Sequence, residues 1–249
     1  MPLAGFRLLE TIHESRKTTV RKAVRVADGL PVLLKILKPA AATERNVARF
    51  RLEHELLGSL HTDLVVATHG LLRSGETLTL VLEDFGGTSL SRQIPSGGFA
   101  TREFTTLALG VSRAVSALHE ARVIHKDISP ANIVHNPATG QTKLIDLSIA
   151  TTLGREIATL PALDAVEGRL RYLSPEQTGR MNRVVDQRSD LYSLGITFYE
   201  LLTGAPPFTA EDPLELLHCH LARTPIPPHE ARRGVPKALS RIIMKLLEK

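Results

Sequence analysis

The sequence predicts an α+β chain in which a strand-rich opening, residues 1–83, precedes a mainly helical remainder. Two observations carry this. Short apolar runs in the opening alternate or are cut by the turn signals Asp28-Gly29 and Ser74-Gly75, the pattern of hairpins. From residue 101 onward apolar residues recur at helical spacing, as in Phe104, Leu107, Ala108, Val111, Val115 and Leu118. The 249 residues suffice for one sizeable domain or two closely packed lobes.

The first strands fall within residues 6–38, where Val20 to Val26 alternate and Pro31 to Leu37 form an apolar run. Lys35 interrupts that run, and a lysine there either finds a partner or points to solvent from an edge. From Thr43 the period becomes helical, with Val47, Phe50, Leu56, Leu57 and Leu60 on one side. Glu53, one turn after Phe50, is placed to pair with Lys35, whereas Glu55 points to solvent. Strands from Leu64 to Leu72 and from Thr77 to Glu83 follow, ending in the flexible stretch Asp84-Phe85-Gly86-Gly87.

Thr101 is placed to cap the helix that carries Phe104 to Leu118. After it, Ile133-Val134 and Lys143-Leu144-Ile145 read as a hairpin around Asn136-Pro137 and Gly140. The segment from Asp146 to Glu176 has no clear period, and loops of that length are usually functional or disordered. Ser189 to Leu202 is apolar nearly all round, which marks a core helix, stopped by Gly204 and Pro206-Pro207. Two last helices lie near Glu211–Ala222 and Pro236–Glu248.

Composition narrows the function classes. No apolar run reaches membrane-spanning length, and the start Met1-Pro2-Leu3-Ala4 lacks a secretory pattern, so a cytoplasmic protein without a membrane segment is expected. Cys219 stands alone, which excludes an internal disulfide framework. The net charge of +5 is dispersed without aromatic interleaving and reads as a solvated surface, not a nucleic-acid site. His218, Cys219 and His220 are adjacent on a helix, so they point in different directions and read as surface and core neighbours.

The chemistry concentrates in His125-Lys126-Asp127-Ile128-Ser129-Pro130-Ala131-Asn132 and in Asp146 after Leu144-Ile145. Asp127 and Asn132 could simply make Asx turns beside Pro130. The other reading gives a carboxylate to orient a hydroxyl, and an amide plus a second carboxylate to hold Mg²⁺ against phosphates. Phosphoryl transfer is mostly such positioning and charge neutralisation.

The loop resembles the H-R-D-x-x-x-x-N catalytic loop of protein kinases, with Lys126 in place of Arg. Lys35 resembles the V-A-I-K lysine, Glu53 its helix partner, Asp146 the metal-binding aspartate, and Ser174-Pro175-Glu176 the A-P-E stop. With Ser189-Asp190-Leu191-Tyr192-Ser193-Leu194-Gly195, these occur in kinase order and spacing over nearly the whole chain. The resemblance implies a bilobal protein-kinase-like fold: a β-rich N-lobe (1–83) with one main helix, a hinge (84–87) and a helical C-lobe (88–249) truncated at its end.

It further implies an ATP- and Mg²⁺-dependent Ser/Thr kinase acting in signal transduction on a protein substrate. Lys35, held by Glu53, would position the α- and β-phosphates, with Asp127 as base and Asn132 and Asp146 as metal ligands. Ile12, Val20, Leu33, Leu82, Glu83, Phe85 and Val134 would enclose the nucleotide. The stretches Ser174–Arg183 and Leu217–His220 are similar to the kinase domain that opens large bacterial proteins continuing into ATPase and sensor histidine-kinase modules.

Several positions depart from the family pattern. His13, Ser15 and Thr18 stand at the three glycine positions of the nucleotide loop, with Arg16 and Lys17 at its tip. Leu33 replaces a small residue against adenine, Asp146-Leu147-Ser148 replaces Asp-Phe-Gly, and Ser129 replaces a lysine. Gly168-Arg169 replaces Gly-Thr, with Arg169 a candidate for the missing charge. Thr151, Thr152 and Thr159 are candidate phosphorylation sites, although hydroxyls in a loop are mostly just hydroxyls. These departures sustain an alternative, a non-catalytic kinase-fold module regulating its neighbours. A small-molecule phosphotransferase fits less well, because Ser174-Pro175-Glu176 and the helix from Ser189 build a protein-substrate platform in kinases.

Overall fold

The computed structural model describes residues 3–75, 77–152, 170–181 and 183–249. The strand-forming stretches at its start make one antiparallel sheet of β1 (Phe6–Glu14), β2 (Thr18–Arg25), β3 (Pro31–Leu37), β4 (Thr68–Ser74) and β5 (Thr77–Glu83). Their spatial order is β1-β2-β3-β5-β4. Asp28 sets the β2–β3 turn: its carboxylate accepts the Arg25 guanidinium at 2.6 Å and the Leu30 N–H at 3.2 Å.

Strand alternation then sorts β3. Val32 and Leu34 join Ala23 and Val81 in a small cluster on one face. Leu33, Lys35 and Leu37 face the other way, toward helix α1 (Glu44–Ser59) and the main core. Thr43 caps α1 by accepting the Asn46 N–H at 3.3 Å. The helix buries Phe50, Glu53, Leu56 and Leu57 and leaves Glu55 exposed, as the periodicity predicts.

The strand expected from Leu64 starts only at Thr68. Leu64 and Val66 instead bond to Leu144 across the molecule, both at 3.0 Å. Val65 and Val66 are thereby buried between the sheet and the helical half. Their apolarity reflects that lobe contact and not a sheet interior.

Beyond the sheet lie β6 (Thr88–Ser89), helix α2 (Thr101–Glu120), β7 (Val123–Ile124), β8 (Ile133–Asn136), β9 (Gln141–Leu144) and β10 (Thr151–Thr152). Helices α3 (Gln187–Thr203), α4 (Pro213–Ala222), α5 (Pro228–Ala231) and α6 (Lys237–Leu246) follow. Thr101 is the first helical residue of α2 and not its cap; Ala100 holds the extended cap backbone and accepts the Phe104 N–H at 2.8 Å. Helix α3 begins before Ser189, because Asp186 caps it by accepting the Arg188 N–H at 2.9 Å. The one-turn α5 is an element the sequence pattern missed.

Gly204 ends α3 at φ 88°, and a Cβ there would lie 2.5 Å from the Gly97 nitrogen. Arg232 secures the same corner by donating to the carbonyls of Phe99 at 2.7 Å and Leu202 at 2.6 Å. Most of α3 is buried, so it forms the post on which the loops of the helical half are hung. Among the described residues no helix is long and apolar enough to cross a membrane.

Candidate active site

The loop between β7 and β8 is shaped from inside by α3. Asp190, fully buried, accepts the N–H groups of His125 at 2.9 Å and Lys126 at 2.8 Å, and lies 2.9 Å from the His119 Nε2. These bonds hold Lys126 at φ 66°, a conformation an L-residue keeps only when its surroundings impose it. Gln177, in the capping box that follows Ser174, donates to the Lys126 carbonyl at 2.9 Å.

His125 is a structural histidine. Its Nδ1 accepts the Asp127 N–H at 3.2 Å, so Nε2 carries the proton and donates to the Ile145 carbonyl at 3.1 Å. Both nitrogens are occupied, and neither His125 nor Leu147 is exposed. Asn132 donates through Nδ2 to the Asp127 carbonyl at 2.8 Å, so its Oδ1 is the accepting end of the amide. The Asn132 carbonyl accepts the Ile145 N–H at 3.0 Å, drawing Asp146 beside the same turn.

Lys35, Glu53 and Asp146 meet as one group. The Lys35 ammonium lies 2.8 Å from both Glu53 oxygens and 3.0 Å from Asp146 Oδ1. Burial opposes the charge on Lys35, but Asp146 and Glu53 more than offset it and hold its pKa above the usual lysine value. Burial, with the Asp146 charge adding to it, pushes the Glu53 carboxyl up, and Lys35 opposes that rise. Asp146 stands at φ 63°, fixed by the Ser148 N–H to its Oδ1 at 3.1 Å. Ser148 itself has no left-handed backbone, so the glycine usual at that position is not needed for this geometry.

The residues expected to enclose a nucleotide fall on β1, β2, β3, β5 and β8, with Phe85 just after β5. Val20 is opposite Lys35 in the β2–β3 register, and Leu33 opposite Leu82 in β3–β5; Val20 and Leu33 are half-buried. Glu83 is held by two 2.8 Å bonds from Lys143, whose ammonium also lies 5.2 Å from the Phe85 ring centroid. Val134 presses so closely against Gly87 that a Cβ there would lie 2.6 Å from its Cγ1. Arg92 reaches across to donate to the Ile12 carbonyl at 3.0 Å.

Sequence reasoning did not assign Asp190, Gln177, Lys143 and Arg92. Asp190 had a signal: a carboxylate in the first turn of a helix apolar nearly all round must be buried and partnered. The other three act through backbone carbonyls or long side chains, which no spacing announces. Gly168-Arg169 and Thr159 lie outside the described residues. Thr151 and Thr152 pair with Ile124 and Val123 in a two-stranded ribbon. His218 is exposed while Cys219 and His220 are buried, and the described residues contain no group of metal-ligating side chains of the His/Cys/Asp/Glu kind.

The family model described as the protein kinase domain matches residues 6–249. The chain belongs to the protein kinase family. Its bilobal α+β architecture is the protein kinase fold. Among curated proteins it is similar to a probable serine/threonine-protein kinase PknB of Bifidobacterium longum, 32% identical over 99% of this chain and 37% of the relative. A probable serine/threonine-protein kinase of Corynebacterium efficiens is 33% identical over 90% of this chain and 34% of its own length. The serine/threonine-protein kinase PknB of Mycobacterium tuberculosis is 30% identical over 99% of this chain and 39% of its length. This kinase-family chain thus spans about a third to two fifths of the curated relatives it matches.

Proposed function

We propose that this chain is a protein Ser/Thr kinase domain that transfers the γ-phosphoryl group of ATP to a protein hydroxyl. The observation that carries the reading is the joint contact of Lys35 with Glu53 and Asp146, which brings α1, the sheet and the Asp146 turn together around one ammonium. Lys35 binds the α- and β-phosphates. Asp127 orients the substrate hydroxyl and takes its proton as the oxygen bonds to the γ-phosphorus and ADP leaves. Asn132 Oδ1 and the Asp146 carboxylate are hard oxygen donors on two segments joined by the Ile145 N–H to Asn132 carbonyl bond, a set suited to Mg²⁺. Bound there, the ion would neutralise phosphate charge. Ile12, Val20, Leu33, Leu82, Glu83, Phe85 and Val134 enclose the base and sugar.

Residues 1–83, 84–87 and 88–249 act as N-lobe, hinge and C-lobe of one domain. A place in cytoplasmic bacterial signalling, ahead of ATPase and histidine-kinase modules, rests on the Ser174–Arg183 and Leu217–His220 stretches alone. The non-catalytic alternative is disfavoured by relatives that carry serine/threonine-protein kinase names and by the intact Lys35–Glu53–Asp146 group.

Asp127→Asn decides between catalysis and its absence. Phosphorylation of a Ser/Thr-containing protein such as casein, or of the chain itself, should fall at least 100-fold with the fold unchanged by circular dichroism. Full residual transfer by that variant would sink the assignment.

A further inference from the structure

The turn between β1 and β2 carries His13, Ser15 and Thr18 at the glycine positions of the family pattern, and it is built around one hydroxyl. Ser15 Oγ accepts the N–H groups of Lys17 at 3.2 Å and Thr18 at 2.9 Å. The same oxygen lies 3.0 Å from Thr18 Oγ1 and 3.2 Å from the Thr18 carbonyl. The Ser15 N–H is also used, donating to the Thr18 carbonyl at 2.8 Å. No residue of the turn has positive φ. A serine closing its own turn in this way replaces the glycines that would leave backbone donors pointing outward.

We propose that Ser15 is a specificity-determining residue that withholds the loop amides of Lys17 and Thr18 from the nucleotide phosphates. The inference rests on the nucleotide-site reading above. Glycine-type loops hold phosphates through backbone N–H groups, and an N–H already bonded to a serine oxygen must give up that bond first. The phosphate tail of ATP is therefore held from the Lys35 side, with little from above. The loop stays in place without the hydroxyl, because β1 and β2 remain paired through His13–Val20 and Glu14–Thr19. Lys38 also ties the turn to β3, bonding Glu14 at 2.7 Å and donating its N–H to the Lys17 carbonyl at 2.9 Å.

The test compares the wild type with Ser15→Ala and Ser15→Gly by calorimetric titration of ATP with Mg²⁺ and, separately, of adenosine. Freeing two donors to charged phosphate oxygens should tighten ATP by roughly fivefold or more and leave adenosine unchanged. The ratio of the two affinities is the readout, since a merely structural role for Ser15 would move both or neither. Adenosine and ATP binding in all three proteins with an unchanged ratio, or weaker ATP binding in both variants, overturns the proposal alone. No binding of either ligand by any of the three overturns the nucleotide-site reading and this proposal with it.

Discussion

Asp190 accepts the backbone N–H of Lys126 at 2.8 Å from within the buried first turn of α3. A carboxylate with no exposure thus holds a non-glycine residue at φ 66° one position before Asp127. The loop that carries Asp127 is set by the core of the helical half and not by its own sequence alone.

Asp190→Ala removes the acceptor for His125 and Lys126 and the partner of His119 together. The buried N–H of His125, the half-buried N–H of Lys126 and a strained backbone are left unsupported. The expected cost is about 3–5 kcal/mol. Asp190→Asn keeps one oxygen and should lose roughly half as much. Urea unfolding of the two variants checks this, and a loss below about 1 kcal/mol for Asp190→Ala would contradict it.

Lys35 and Glu53 are both buried, so removing one partner is worse than removing both. Lys35→Met strands the Glu53 carboxylate beside Asp146 and should destabilise by about 3 kcal/mol. Lys35→Met combined with Glu53→Leu should recover much of that stability yet remain inactive. Thermal unfolding and phosphotransfer, measured on the single and double variants, separate the two roles of the pair. Double-variant stability no better than Lys35→Met would show that the pair is not coupled.

Two glycines give opposite expectations. Gly204→Ala would place a Cβ 2.5 Å from the Gly97 nitrogen at a residue with φ 88°, so backbone must move. It should cost more than about 2 kcal/mol. Gly58 lies in α1, and a Cβ added there would meet nothing within 4 Å, so Gly58→Ala should stabilise by about 0.5–1 kcal/mol. Melting temperatures moving in opposite directions would bear this out; equal shifts would not.

Much of this architecture was legible in the chain because the signals were periodic. The alternation around Lys35 and the α1 stripe of Phe50, Leu56 and Leu57 are enough to put Lys35 and Glu53 on facing surfaces. What was not legible depends on contacts distant in sequence. Leu64 to Val66 look like a strand but bond to Leu144, and apolarity cannot say which partner buries a residue. Lys143, tied to Glu83 some 60 positions away, reads as an ordinary strand lysine. At the β1–β2 turn the loss of glycine was plain, but the use of Ser15 Oγ to occupy two amides was not.

His220 gives the clearest pH dependence. It is fully buried, with Nδ1 3.1 Å from the Tyr192 hydroxyl and its ring edge-on to Phe208. Burial, aided by the Lys249 charge, brings its pKa down from 6.5 to about 4. Below pH 6.5 the unfolded chain takes up a proton that the folded chain refuses until about pH 4. This group's contribution to stability is therefore present above pH 6.5 and lost as the pH falls toward 4, by about 3 kcal/mol in all. His220→Asn keeps a polar atom for Tyr192 and cannot titrate. Urea midpoints for both proteins at pH 7.5 and pH 4.5 isolate the effect, because the other titrating groups cancel in the difference. The wild type should lose stability more steeply than the variant on acidification, and parallel losses would mean that His220 is not held neutral by its burial.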